Sequence, residues 1–263
     1  MSTLITMGCS FIQGVGTWYE EIEPITPNNW DYHLNKYQQQ HLDIQLNNCI
    51  GSYIQEKLGY SYFYNFGISG TSLSNQLRVW FDNTPNIDDT DVLFLLFGTY
   101  PSRIGAYLGG QIGDVDLTDS FFNMYPFNKE LEPRSIDTIK LDLDLEFIYN
   151  IKIIKNYCES RNWDFNYSLI NPYNLELYHN EIGETFPNPF IEFEKLSNDM
   201  KCHISPHPNK LGYEHLSNKL IEWGNINKPN WYKNDKVISK QFGWEMFKFD
   251  TNLTKHPYIY NRF

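Results

Sequence analysis

The chain has 263 residues, 41% of them hydrophobic, which is enough for one large domain with a substantial core. Its formal net charge of −11, from 21 basic and 32 acidic residues, disfavours nonspecific binding to nucleic acid or to anionic lipid. No apolar run approaches the roughly 18 residues that suggest a membrane span, so neither nucleic acid nor a membrane is predicted as a partner.

The N-terminal segment and the cysteines indicate the cellular compartment. No basic segment precedes the short apolar start, so the sequence predicts no signal peptide and synthesis in the cytoplasm. The cysteines Cys9, Cys49, Cys158 and Cys202 are widely spaced and include no Cys-x-x-Cys pair. We expect them to be small buried residues with free thiols, as in a reducing compartment.

A short apolar run at about Thr3 to Met7 predicts the first strand. It leads into Gly8-Cys9-Ser10-Phe11 and then into a polar segment with glycines, which indicates a tight turn. A serine at the C-terminal end of a buried strand stands beside exposed backbone N–H groups, as a nucleophilic serine with an oxyanion site requires. Taken alone, the stretch also fits an ordinary strand end with an incidental serine.

Strands and helices alternate along the rest of the chain. Further strand patterns occur at Tyr60 to Phe66, Asp91 to Phe97 and Phe165 to Ile170. Apolar residues at helical spacing occur at Ile50 to Leu58, Leu73 to Phe81, Leu143 to Ser160 and Leu216 to Ile221. This alternation predicts an α/β fold, a flavodoxin-like three-layer sandwich with a central parallel sheet of about five strands.

No linker-like boundary divides the first part of the chain, so residues 1–223 are predicted to form one α/β domain. Two segments without sustained periodicity, about 17–46 and 104–140, are predicted to be long insertions. Residues 224–263 are predicted to be an aromatic C-terminal extension. Aromatic residues make up 17% of the chain, and aromatic, Asn-rich loops suit protein interfaces or carbohydrate-binding surfaces.

The predicted sheet brings several polar turns to one edge. In open parallel sheets, ligands bind at the carboxyl ends of the strands. Ser10, Gly70 and Thr99 follow the first three predicted strands directly, and His207 lies in the loop before the last core helix. The topology therefore predicts that these four residues converge on one site.

These segments resemble the four sequence blocks of the SGNH (GDSL-like) hydrolase family, in order and in spacing, across residues 3–222. The corresponding stretches are Gly8-Cys9-Ser10-Phe11, Asn65-Phe66-Gly67-Ile68-Ser69-Gly70, Gly98-Thr99-Tyr100-Pro101-Ser102-Arg103 and Ile204-Ser205-Pro206-His207-Pro208. The first and third blocks are most similar to those of the divergent SGNH-like proteins of bacteriophages.

The resemblance implies a serine ester hydrolase that needs no metal or other cofactor. Ser10 would be the nucleophile and His207 the general base and acid. The implied oxyanion hole consists of the backbone N–H groups of Ser10 and Gly70, with the Thr99 hydroxyl in place of the family's asparagine. Arg103 would be a substrate-binding residue or, equally, a surface charge or buried ion pair. The implied substrate is an acylated small molecule or glycan that loses an acyl or acetyl group.

Two departures from the family pattern keep a second hypothesis open. Ile204 stands where the family has the acid that orients the histidine, so a backbone carbonyl or the upstream Asp199 would have to take that role. Thr99 replaces an asparagine. The alternative is a catalytically weakened module of a virus particle, which would bind other virion proteins through residues 104–140 and 224–263.

Two further interpretations remain for the same residues. Cys202, His203 and His207 are close in sequence and could ligate a metal, although Pro206 and Pro208 prevent a helix that would place both histidines on one face. The glycine turns after the second and third strands could cradle a phosphate in an unrelated flavodoxin-like domain. No Gly-x-Gly-x-x-Gly motif or P-loop supports this second interpretation.

Overall fold

The computed structural model describes residues 2–17, 40–68, 71–83, 87, 91–98, 103–108, 111–116, 136–169, 174–183, 196–202, 207–224 and 238–241. Residues 103–108, 111–116, 136–139, 238 and 241 are described by their backbone alone.

The described elements follow the predicted alternation. The strands are β1 (Ser2–Gly8), β2 (Tyr62–Gly67), β3 (Asp91–Gly98), β4 (Arg103–Leu108), β5 (Gln111–Asp116), β6 (Asp164–Leu169) and β7 (Ile238–Gln241). The helices are α1 (Ser10–Gln13), α2 (40–47), α3 (Ile50–Leu58), α4 (Leu73–Asn83), α5 (Ile136–Ser160), α6 (Leu175–Ile182) and α7 (Lys210–Trp223), with a short 3₁₀ helix at Asn198–Met200.

Five of the described strands form one parallel sheet in the order β6-β3-β1-β2-β7. The predicted α/β class and the parallel sheet of about five strands are confirmed. β1 lies in the middle, and its last residue, Gly8, is in register with Gly67 of β2 and with Phe97 of β3. The carboxyl ends of these three strands therefore lie side by side.

Helices cover both faces of the sheet, which makes the three layers. One core lies between the sheet and α4, α5 and α6, and the other lies between the sheet and α3 and α7. β3 contributes Phe94 and Leu96 to the first core and Leu93 and Leu95 to the second. This strand is buried on both faces, as its continuous apolar run predicts.

The predicted C-terminal extension contributes to the sheet. Ile238–Gln241 form the edge strand β7, which pairs in parallel with β2 from Tyr62 opposite Ile238 to Asn65 opposite Gln241. The segment Ile-Ser-Lys-Gln has one strong strand former in four residues, so no periodic pattern reveals it.

The predicted insertions also contain regular structure. Residues 40–47 of the first are helical, and the second contains an antiparallel hairpin of β4 and β5 that lies beside α4. The Gly109-Gly110 pair between these strands is a sequence signal for a two-residue hairpin turn. Helix α5 begins at Ile136, seven residues before the predicted Leu143.

All four cysteines are buried and carry free thiols, as predicted. Burial raises the pKa of the Cys158 thiol to about 12 and also raises the pKa of Cys49, so both thiols are neutral at pH 7. No helix in the part of the chain that the structure describes combines the length and hydropathy of a membrane span.

Trp80 of α4 is the centre of an aromatic cluster in the first core. It is 1% exposed and makes edge-to-face contacts with Phe66, Phe94, Tyr157 and Trp163. These rings join the helix layer to two strands of the sheet.

We expect Trp80→Ala to lower the free energy of unfolding by about 3–5 kcal/mol, because it leaves a cavity among these rings. Phe81→Ala is the matched control on the same helix, since Phe81 is 53% exposed. Urea unfolding followed by circular dichroism measures both values. Equal losses for the two variants would contradict the assigned core.

Candidate active site

Ser10 is the first residue of a short helix at the carboxyl end of the central strand. β1 ends at Gly8, Cys9 is extended with φ −90° and ψ −158°, and α1 begins at Ser10. The backbone of α1 lies directly on the end of β2, since a Cβ on Gly67 would be 2.5 Å from the Gln13 backbone nitrogen. Only glycine fits at position 67 without moving α1.

The backbone N–H of Ser10 belongs to the first turn of α1. N–H groups of a first turn have no acceptor within their own helix and point outward from its end. The backbone N–H of Ser10 is one of these groups, and its role in an oxyanion hole stays a prediction.

His207 lies in a loop that is closed by backbone hydrogen bonds. Lys201 and Pro208 form an isolated antiparallel bridge, and the Cys202 backbone nitrogen donates to the His207 carbonyl oxygen at 2.9 Å. Asn209 then caps α7, because its Oδ1 accepts from the Gly212 backbone nitrogen at 3.1 Å. These contacts hold His207 just before the start of a core helix.

The structure brings Ser10 and His207 together, as the topology predicts. His207 Nε2 lies 2.8 Å from Ser10 Oγ. The Ser10 side chain is buried at 9% exposure, and the Phe11 ring packs against the imidazole at a centroid distance of 4.6 Å. When Nδ1 carries the imidazole proton, Nε2 accepts a hydrogen bond from the serine hydroxyl, which is the arrangement of a nucleophile and its base.

Gly16 allows the Ser10 segment and the His207 loop to approach each other. Its φ is +108°, and a Cβ at this position would be 2.5 Å from the Pro208 carbonyl oxygen and 2.9 Å from His207 Cβ. A side chain here would be strained and would also displace the loop that carries the imidazole.

Tyr213 makes a second link between the same two segments. It is fully buried in α7, and its hydroxyl donates to the Val15 carbonyl oxygen at 2.8 Å. Burial raises the pKa of this hydroxyl well above its ordinary value, so it remains protonated and keeps donating.

The structure does not describe four of the residues that the sequence analysis considered for the site. Gly70, Thr99, His203 and Ile204 lie outside the described residues. The strands that precede Gly70 and Thr99 end beside β1, as described above. The predicted oxyanion roles of Gly70 and Thr99 remain predictions.

The structure describes Arg103 by its backbone and Asp199 with its side chain, and among the described residues the Asp199 side chain makes no hydrogen bond with Ser10 or His207. Arg103 is the first residue of β4 and lies opposite Asp116 in the hairpin, where only its backbone is described. Asp199 lies in the 3₁₀ helix with an exposed side chain, and its backbone carbonyl oxygen accepts from Asn209 Nδ2 at 2.7 Å. The substrate-binding role of Arg103 stays a prediction.

The described residues contain no group of three His, Cys, Asp or Glu side chains that could hold a metal ion. Of the residues in the metal interpretation, Cys202 and His207 are both described and are joined through the backbone hydrogen bond given above.

Sequence reasoning gave no role to three residues that contact His207 or the segment after Ser10: Phe11 and Asn65, which stand in the blocks quoted above, and Tyr213. Asn65 offered the clearest signal, because asparagine is disfavoured in strands and stands here inside an aromatic strand pattern. Phe11 and Tyr213 look like ordinary core residues in the sequence.

No protein-family model matches the chain, and no curated protein matches it significantly. Among solved structures, the chain is similar to the psychrotrophic esterase EstA from Pseudoalteromonas sp., in a structure inhibited by monoethylphosphonate. The identity is 13%, the alignment covers 86% of this chain and 97% of that chain, and the TM-score is 0.42. The function proposed below therefore rests on the residues and distances of this chain.

We expect Gly16→Ala to disturb the Ser10–His207 pair as well as the fold. The matched control is Gly183→Ala, because Gly183 has the same φ of +108° but nothing within 4 Å of the added Cβ. Both variants should lose about 1–3 kcal/mol of unfolding free energy from backbone strain. Only Gly16→Ala should also slow the reaction of Ser10 with a fluorophosphonate, by about 10- to 100-fold, because it displaces the imidazole.

Urea unfolding and intact-mass labelling kinetics measure the two effects separately. Equal labelling rates in the two folded variants would contradict a role for Gly16 in holding His207.

Proposed function

We propose that this chain is a serine ester hydrolase of the SGNH type. The single observation that carries the proposal is the 2.8 Å separation of Ser10 Oγ and His207 Nε2 at the carboxyl end of the central strand. The order and spacing of the four sequence blocks add support.

The acylation step needs a nucleophile and a base, and Ser10 and His207 have these two roles. Ser10 Oγ attacks the carbonyl carbon of the ester while its proton passes to His207 Nε2. When the tetrahedral intermediate collapses, the bond to the alcohol oxygen breaks and Nε2 returns the proton to that oxygen. The alcohol leaves, and the acyl group remains on Ser10.

Water completes the cycle. His207 Nε2 takes a proton from a water molecule as its oxygen attacks the acyl carbonyl. The bond to Ser10 Oγ then breaks, Oγ receives the proton from Nε2, and a carboxylic acid is released. In both steps the Ser10 backbone N–H would stabilise the oxyanion, and the predicted donors at Gly70 and Thr99 would complete the hole.

We expect a fluorophosphonate probe to label Ser10 in the wild type and to leave Ser10→Ala unlabelled. His207→Ala should slow labelling by about 10²- to 10⁴-fold, because the serine loses its general base. Peptide mass spectrometry identifies the modified residue. The rate of hydrolysis of a short-chain aryl ester should decrease from the wild type to His207→Ala and from His207→Ala to Ser10→Ala.

Ser217→Ala is the matched control for loss of a buried serine hydroxyl. Ser217 is fully buried in α7, and its hydroxyl donates to the Ile50 and Tyr213 carbonyl oxygens rather than meeting an imidazole. An unlabelled wild type, or equal hydrolysis by wild type and Ser10→Ala, would contradict the proposal and favour a catalytically weakened binding module.

We further propose that the ester substrate is an acylated glycan, from which the enzyme removes acetyl or similar acyl groups. The support is the aromatic content of 17%, which includes 19 tyrosines, five of them in the predicted insertions. Aromatic rings offer apolar faces with polar edges, which suits the faces of sugar rings.

An O-acetylated oligosaccharide should be hydrolysed with a kcat/KM at least about tenfold above that of a simple acetate ester, because binding of the sugar lowers the barrier to the chemical step. Acetate release measures this ratio, with Ser10→Ala as the blank. Equal kcat/KM values would contradict the glycan proposal and leave the ester hydrolase proposal intact.

A further inference from the structure

The helix that carries Ser10 cannot hold its own position. α1 has four residues, and a helix of this length is not stable by itself in water. Its orientation, and with it the direction of the Ser10 side chain, must therefore be set by contacts from outside the helix.

Asn65 supplies such contacts from β2. Its side chain is fully buried, and its Nδ2 donates to the Ile12 carbonyl oxygen of α1 at 3.1 Å. Carbonyl groups in the last turn of a helix receive no hydrogen bond from within that helix. The Asn65 amide supplies a donor to one such group, the Ile12 carbonyl.

The other end of the same amide is held by the sheet. Asn65 Oδ1 accepts from the Gly67 backbone nitrogen at 2.8 Å and from Thr6 Oγ1 of β1 at 3.2 Å. Nδ2 also lies 3.6 Å from the Cys49 sulfur at the start of α3. One amide thus joins two central strands to the helix of the nucleophile.

The contact with Gly67 also fixes the strand end beside Ser10. The next residue, Ile68, donates through its backbone nitrogen to the Gly8 carbonyl oxygen at 2.9 Å. Asn65 therefore holds both the C-terminal end of α1 and the point where the chain leaves β2 toward Gly70.

We propose that Asn65 is a positioning residue for Ser10: its buried amide clamps α1 to the ends of β1 and β2 and so sets the alignment of Ser10 Oγ with His207 Nε2. Asn65 touches neither the substrate nor the reacting atoms. The proposal rests on the ester hydrolase function proposed above for its kinetic consequences.

The test compares Asn65→Leu with Gln55→Leu. Gln55 is a matched buried amide in α3, 4% exposed, whose Nε2 donates to the Tyr60 carbonyl oxygen and whose Oε1 accepts from Ser239. These partners lie at the opposite, amino-terminal side of β2, far from the catalytic pair.

Asn65→Leu should slow phosphonylation of Ser10 by about 10- to 100-fold, because small displacements of a nucleophile carry costs of this size. In ester hydrolysis, kcat should fall while KM stays unchanged, since the substrate contacts are intact. Hydrogen exchange should become faster in the segment 9–17. Gln55→Leu should lower stability without either effect.

Asn65→Asp is the second variant, in case Asn65→Leu does not fold. It keeps an oxygen for Gly67 and Thr6 and replaces the amide donor that faces Ile12. It should show the same slower phosphonylation and the same faster exchange in the segment 9–17.

The proposal is overturned if a folded Asn65 variant shows slower phosphonylation without faster exchange, or faster exchange without slower phosphonylation. It is also overturned if Gln55→Leu changes both rates as much as Asn65→Leu does. A wild type that no fluorophosphonate labels contradicts the proposed function alone. In that case the exchange of the segment 9–17 tests whether Asn65 holds α1, and unchanged exchange overturns the clamp.

Discussion

The structure depends on one constraint, the passage of the chain from β1 into α1 through the single residue Cys9. A turn this short forces the backbone of α1 onto the ends of the neighbouring strands, which is why Gly67 meets the Gln13 nitrogen so closely. Because β1 is the middle strand, Ser10 arrives in the centre of the edge where ligands bind in open parallel sheets.

Contacts from the C-terminal part of the chain hold the His207 imidazole against the same turn. The Lys201–Pro208 bridge closes its loop, and Gly16 and Tyr213 bring that loop against the segment after α1. The Lys201–Pro208 bridge joins backbone to backbone, whereas the other two contacts depend on the missing side chain of Gly16 and on the Tyr213 hydroxyl.

The sequence predicts those parts of the molecule whose apolar residues form a run or a repeated spacing. The apolar run of β3 and the helical stripe of α5 are long enough to identify, and the alternation of strands and helices then places Ser10 and His207 at one edge. A single polar group leaves no such pattern, so the contact of Asn65 with Ile12 required the structure. The short strand β7 was not predicted either, because its four residues are too few to show a periodic pattern. Gly70 and Thr99 remain predictions because they lie outside the described residues.

The separation of Ser10 and His207 along the chain has a consequence for synthesis. Ser10 and His207 are 197 positions apart, so the site cannot form until nearly the whole domain has left the ribosome. Closing so long a loop costs conformational entropy that only the packed layers between the two ends can repay. The contact between Ser10 and His207 therefore reports on completed folding, and a truncated or stalled chain carries Ser10 without the imidazole beside it.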